Sequence, residues 1–392
     1  MKMPSLAGSV LVCMLLFAPN AIARTIYVGP AEHVKTIAEA AALAKDDDIV
    51  EIAPGQYDGD VAVWTQRRLT IRGVGQRPVL NAAGRHAEGK AIWVIRDGDF
   101  KISNIEFRGA RVSDHNGAGI RFEKGKLSVV RCAFLDNQMG ILTGNSEDSE
   151  LKIEGSIFAQ APRQEIGLPH LLYVGRIASL RVLGSRFHGG QRGHLLKSRA
   201  RISDIRYSLL VDGPGGAASY EADFPNGGDV TLVGNVLAQS STAENRTVVA
   251  YGAEGHVWPT DRLRMVHNTL YSEGPRLAWF LHVFNEQFDA APQVMTRNNL
   301  LVGIGPFTTN VEGQHQGNYF APAMVLGDPA TLDFTLARNS WLRGIEGSIE
   351  PGPEDLLPRF EQAVPGVVSA IQNHTIRVPG AIQAFTVKKH PD

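Results

Sequence analysis

Along most of the chain a small or amide-bearing residue is followed, two positions later, by a large apolar one. The phrase reads Cys132-Ala-Phe134, Ser156-Ile-Phe158, Ser185-Arg-Phe187, Asn235-Val-Leu237, Asn268-Thr-Leu270, Asn299-Leu-Leu301 and Asn339-Ser-Trp341, with looser forms at Ile105-Glu-Phe107 and Ile205-Arg-Tyr207. Intervals of about 20 to about 40 residues mark one short unit repeated with variable inserts. Brief alternating segments such as Leu127 to Phe134, Leu151 to Phe158 and Leu180 to Phe187 surround it, and Gly, Asn, Asp and Ser break them. No helical period runs through the middle of the chain. A unit this small cannot bury its own apolar face and must stack on its neighbours. The predicted fold class is all-β, a parallel β solenoid.

Other stretches predict how the solenoid begins and ends. Met1-Lys2-Met3, an apolar run from Val10 to Phe17 and the small-x-small site Ala21-Ile-Ala23 read as a signal peptide over residues 1–23, so export to the periplasm or the medium is expected. No integral membrane segment is expected after cleavage, because the apolar run is short. Residues 24–60 read as an N-terminal cap and first rung, with an Ala-rich helix from Val34 to Lys45 between the strands Thr25 to Val28 and Ile49 to Ile52. Such a helix shields an open end of apolar core. Rungs are expected over 61–345, and a capping tail over 346–392. Asn235, Asn268, Asn299 and Asn339 recur at one place in their units, where their amides would bond up and down the stack as scaffold.

Charge narrows the partners. The precursor carries 39 Lys and Arg against 40 Asp and Glu with no concentrated basic block, which argues against nucleic acid. Cys13 departs with the signal, leaving Cys132 as a lone thiol at an apolar repeat position, and an intrachain disulfide is excluded. A monomer is expected.

Candidate chemistry concentrates between residues 170 and 285. Aligning the rungs places His170-Leu-Leu-Tyr173 over His194-Leu-Leu-Lys197-Ser-Arg199, an offset of 24 residues. Alternation then turns Leu196, Ser198 and Ala200 inward, and Lys197 and Arg199 outward beside Tyr173. Glu221 and Asp223, then Tyr251, then His282 are expected to extend this ladder as substrate-binding residues. Two cations, a tyrosine, carboxylates and histidines on one side suit β-elimination on an acidic polysaccharide. Charge building on a uronate carboxylate needs a fixed cation, which the planar fork of Arg199 supplies. Lys197 is the candidate base, since Arg199 would lower its proton affinity. Tyr173 or His194 would protonate the leaving oxygen, or one of them would be the base instead, and His170 would orient a partner or bind the substrate. Calcium is a possible cofactor on Glu221, Asp223 and Glu254, although no ligand loop of diagnostic spacing is present.

The Thr36 to Ala44 helix, the Ile52-Ala-Pro-Gly-Gln-Tyr57 turn and the rung phrases resemble the pectate-lyase-like right-handed parallel β-helix superfamily. Segments similar to His170-Leu-Leu-Tyr-Val-Gly175, Gly193 to Ala200, Pro225-Asn-Gly-Gly228 and Tyr251-Gly-Ala-Glu-Gly255 mark exported bacterial members. The resemblance implies a right-handed solenoid and a protein of polysaccharides. In alginate and dermatan lyases of that superfamily a lysine base works with an arginine, sometimes with calcium. The same fold also carries C5-epimerases, glycoside hydrolases and non-catalytic binders, which stand as alternatives. Hydrolysis would need a carboxylate pair, for which Glu221/Asp223 and Glu254/Asp261 are the candidates.

Overall fold

The computed structural model describes residues 23–308, 311–345, 350, 352–372 and 377–384. The expected signal segment, apart from Ala23, lies outside the described residues. Short strands recur in a fixed order of three per turn and form three long parallel sheets. The first sheet runs from Thr25–Val28 to Gly313–Gln316, the second from Gln56–Asp58 to Tyr319–Ala321, and the third from Ala62–Trp64 to Trp279–Val283. Each strand pairs in register with the equivalent strand one turn away, as in Leu127↔Leu151, Leu151↔Leu180 and Phe134↔Phe158. Alternation fixes the faces. In Glu150–Glu154, Leu151 and Ile153 are buried and their neighbours point out.

Inside, like residues stack on like. Phe107, Phe134, Phe158 and Phe187 lie face to face at centroid spacings of 5.1, 4.7 and 4.8 Å, and Leu210, Leu237, Leu270 and Leu301 continue their row. The small residue of each phrase follows a corner in left-handed conformation, at Arg131, Gly155, Gly184, Gly234, His267 and Asn298 among others. There the expected ladder forms. Backbone N–H groups donate one turn onward, from Ser156 to Ser185 Oγ (3.2 Å), Ser208 to Asn235 Oδ1 (2.9 Å), Asn235 to Asn268 Oδ1 (3.0 Å) and Asn268 to Asn299 Oδ1 (2.9 Å). Cys132 sits in the same row, fully buried, and burial pushes its thiol up to about 12. It is a packing residue.

Two phrases were misplaced. Asn318, not Asn339, ends the ladder, accepting from Asn299 N at 3.1 Å, while Asn339 is exposed beyond the last solenoid strand. Tyr207 occupies a left-handed corner, and the rung phrase there is Ser208-Leu-Leu210. The rungs therefore end at Ala321.

The N-terminal helix spans Ile37–Leu43, shorter than expected. Thr36 Oγ1 caps it by accepting from Glu39 N at 3.1 Å, and Ile37 and Ala40 are buried against the first turn. The tail caps and also straps the solenoid. Phe360–Val364 pairs antiparallel with Val367–Ala370, and Gln362 Nε2 donates to Tyr207 O at 2.6 Å. Val378, Ala381 and Ile382 cover Leu209, Val236 and Leu300, the outward apolar residues of the second sheet.

Candidate functional site on the third sheet

Strand register assembles the site. Arg121, Leu142, Tyr173, Lys197, Asp223, Ala250 and His282 form one outward row, each paired with the next. The adjoining row of Leu172, Leu196, Ala222, Val249 and Leu281 faces the core. Tyr173, Lys197, Asp223 and His282 thus stand where the sequence placed them. Tyr251 does not. It lies in the inward row with Phe224, is fully buried, and its hydroxyl donates to Gly228 O at 2.7 Å, so Ala250 takes its expected place.

Glu221 is also a correction. It falls in line with Leu171, Leu195, Val248 and Phe280, all buried in the main core. Backbone bonds from both Leu195 N and Leu196 N onto the next turn (3.0 and 3.2 Å) show two consecutive residues used at one bend. Simple alternation fails there, and Glu221 points inward with neither carboxylate oxygen bonded. Burial, then the nearby charge of Asp212, raises its carboxyl well above the ordinary range. It binds no substrate on the outer face.

Arg199 lies just past the strand Leu196–Ser198. Its Nε donates to Tyr173 Oη at 3.1 Å, Nη1 to Asn226 Oδ1 at 2.9 Å and to Glu254 Oε2, and Nη2 to Glu254 Oε1 at 3.0 Å. Lys197 Nζ donates to Glu254 Oε1 at 2.8 Å and lies 3.2 Å from Asp223 Oδ2. Two cations are thus interleaved with two carboxylates. Lys197 Nζ is paired with a carboxylate on two sides. Burial works against charge on Glu254, yet the hydrogen bonds and charges of Arg199 and Lys197 hold its carboxyl down to about 2. Asp223, 2% exposed, is pushed up to about 6 by burial against the pull of Lys197.

The histidines build the wall behind these groups. His170 Nδ1 accepts from His194 N at 2.9 Å, and His194 Nδ1 accepts from Tyr220 N at 3.2 Å. With Nδ1 consumed in each ring, the proton sits on Nε2, and His194 Nε2 lies 3.3 Å from Asp223 Oδ2. Burial, then the charges of Lys197 and Arg199, lowers His170 to about 3, and burial with the neighbouring cations takes His194 well below the ordinary imidazole range. Both rings are neutral and neither offers a free lone pair to the outer face. They orient the strands.

A groove of about 610 Å³ on the outer face is lined by Tyr173, Arg199 and Asn226 together with Arg121, Asn145 and Arg176. Lys197, 8% exposed, is not among its lining residues. At the far end of the row His282 stacks between Trp279 and Phe284 at centroid distances of 4.2 and 3.9 Å, an apolar platform two rungs beyond Asp223.

Glu254 and Asn226 belong to this cluster, although sequence reasoning assigned them smaller parts. Their signal was the glycine-bracketed loops Pro225 to Gly228 and Gly252 to Gly255, in which Gly252 and Gly255 hold left-handed φ values of 85° and 81°. The three carboxylates proposed for calcium do not converge, since Glu221 faces the core while Asp223 and Glu254 meet at Lys197. The pair Glu221/Asp223 is split across the sheet, and Asp261 braces a loop by accepting from Gly228 N at 3.0 Å. With Glu221 facing the core, the Glu221/Asp223 pairing is set aside.

These features define an all-β parallel β-helix solenoid. No protein-family model matches the chain, and no curated protein does. Among solved structures, the crystal structure of pectate lyase Pel9A is 14% identical, with a TM-score of 0.56, over 84% of this chain and 94% of that one. The crystal structure of an alginate lyase from Paenibacillus sp. str. FPU-7 is 15% identical, with a TM-score of 0.45, over 75% and 98%. The likeness is one of fold.

Proposed function

We propose that this protein is an exported lyase that cleaves an acidic, uronate-containing polysaccharide by β-elimination. The observation carrying this reading is the Glu254 carboxylate seated in the fork of Arg199 beside Lys197, at the edge of an open groove. The site is built to hold a carboxylate. A substrate uronate that displaces Glu254 would rest its own carboxylate on Arg199, where negative charge develops as the C5 proton leaves.

Tyr173 is the proton-transfer group that lines the groove. Acting as phenolate, with Arg199 Nε–H aimed at its oxygen, it takes the C5 proton. The C5–H electron pair forms the C4–C5 double bond, the C4–O4 bond breaks, and the departing oxygen recovers a proton from the same phenol. Lys197 supplies a fixed positive charge beside the carboxylate, and Asn226 holds the guanidinium in plane. His282 with Trp279 would stack a sugar ring farther along.

The test is to incubate the purified protein with a panel of polyuronates and follow the ultraviolet absorbance of the conjugated C4–C5 product, with and without chelator. Product that vanishes in Tyr173→Phe and Arg199→Gln proteins supports the reading, and chelator sensitivity adds a calcium requirement. Product that survives in Tyr173→Phe but not in Lys197→Ala returns the base to Lys197. No product from any polyuronate sinks the lyase reading.

A further inference from the structure

Several surface arginines are matched by carboxylates. Arg68 pairs with Asp47, Arg96 with Glu88 and Glu123, and Arg264 with Asp229. Arg121 and Arg176, which share one groove, are not. No side-chain hydrogen bond or ion pair engages either guanidinium among the described residues, and Arg121 Nε is sealed from solvent without a partner. The nearest acid in sequence, Glu123, is already taken by Lys90 and Arg96, both at 2.6 Å. Arg121 is half-buried, and the nearby charge of Glu123 offsets only part of the solvation that its guanidinium forgoes.

Both residues line the groove that also holds Tyr173 and Arg199, and no Asp or Glu is among its lining residues. Two guanidiniums with no hydrogen-bonded or ion-paired acid, in a groove with no lining acid, make a field that an anionic ligand complements. Placement adds spacing. Arg121 pairs with Leu142, and Leu142 with Tyr173, so Arg121 stands two rungs from Tyr173, about 10 Å along the face. Asn145, whose Oδ1 accepts from Arg176 N at 2.9 Å, keeps its amide N–H groups for a hydroxyl on the ligand.

We propose that Arg121 and Arg176 form a second anion-binding subsite, which takes a further acidic group of the same glycan on the turns before the one that carries Arg199. The substrate is then a polyanion charged at regular intervals, not a neutral chain with an isolated uronate. This rests on the lyase reading only for where cleavage falls. The anion is a carboxylate or a sulfate ester, which share the chemistry an arginine fork recognises.

Binding and cleavage are measured separately on the whole chain. The probes are polygalacturonate, its carboxyl-reduced neutral form and dextran sulfate, titrated calorimetrically at two salt concentrations. The wild type is expected to bind the anionic probes with salt-sensitive affinity and to ignore the neutral one. An Arg121→Gln/Arg176→Gln protein with unchanged Tm should bind at least about tenfold more weakly. If the wild type cleaves, this variant should show a KM raised by a similar factor with kcat within about twofold. Tighter binding of dextran sulfate keeps the subsite and assigns it to sulfate. Binding that depends on the two arginines, in a wild type that yields no unsaturated product, keeps the subsite and removes the lyase reading. Equal affinity in variant and wild type, equal affinity for the neutral glycan, or no binding to either polyanion overturns the proposal.

Discussion

Lys197 Nζ donates to Glu254 Oε1 at 2.8 Å although 57 residues separate them, and the same carboxylate spans the Arg199 guanidinium. One loop residue therefore fastens the Gly252 to Gly255 segment onto the outer face of the third sheet and neutralises the cations that a substrate would need. Binding a uronate there requires Glu254 to give way.

Glu254→Gln should loosen that latch. Its folded-state pKa lies below the ordinary value, so its stabilisation is complete above the normal carboxylate range and is lost as pH falls toward about 2. The side chain is 44% exposed, which screens the ion pair and keeps the effect modest. The variant should melt a little below the wild type at neutral pH, and the gap should close in acid. On the elimination reading its KM for an acidic glycan falls. Melting curves from pH 2 to 8 and steady-state kinetics test both, and a raised KM would mean that Glu254 helps substrate bind.

Glu221→Leu should stabilise the protein. The wild-type carboxyl is buried with both oxygens unbonded in a row of Leu, Val and Phe. Leucine removes that unsatisfied group, a gain on the order of 1–3 kcal/mol. Because burial raises the folded-state pKa, the wild type loses stability as pH rises above the unfolded carboxylate value, and the advantage of the variant should widen in that direction. Urea unfolding at pH 4 and pH 7.5 measures it. An equal or smaller gain at the higher pH would refute the buried-carboxyl account.

Asn268 should be the costliest ladder residue to truncate. Its Oδ1 accepts from Asn235 N and Nδ2, both at 3.0 Å, and its Nδ2 donates to Leu232 O at 2.8 Å and to Asn299 Oδ1 at 3.0 Å. Asn268→Ala leaves several buried groups unpaired at about 1–3 kcal/mol each before relaxation. Ser185→Ala removes two bonds, from Ser156 N and to Leu183 O, and should cost less. Chemical unfolding of both variants checks the order.

His170 and His194 should stay neutral between pH 8 and 5. Their folded-state pKa values lie below the ordinary imidazole value, so their contribution is present above about 6.5 and is lost as pH falls toward the lowered values. Nitrogen-15 NMR should find both rings as Nε2–H tautomers throughout that range. A ring that titrates near 6.5 would show it free of the backbone bond described here.

The repeat was legible because a stacked turn imposes its demands locally. Each corner needs a small or amide side chain to receive the next backbone N–H, and each turn needs a large apolar residue two positions on, so Ser185-Arg-Phe187 and Asn268-Thr-Leu270 announce themselves. Asn339-Ser-Trp341 satisfies the same phrase by chance outside any rung, since the pattern carries no information about what it pairs with. Tyr173, Lys197 and Asp223 were legible as one row for the same local reason. Glu221 was not, because the bend at the start of its strand sends two consecutive residues inward and ends the alternation on which the reading relied.

The sequence by itself determined that the chain repeats and stacks, and which strand would carry Lys197 beside Tyr173, because periodicity and register are properties of neighbouring residues. Tertiary structure alone decided the charge pattern at the site. Glu254 reaches Arg199 and Lys197 by a loop folding back across two turns, and Arg121 joins their groove through three successive strand pairings. Electrostatic partners are set by distance in space, and in a solenoid residues far apart in the chain stand a few ångströms apart.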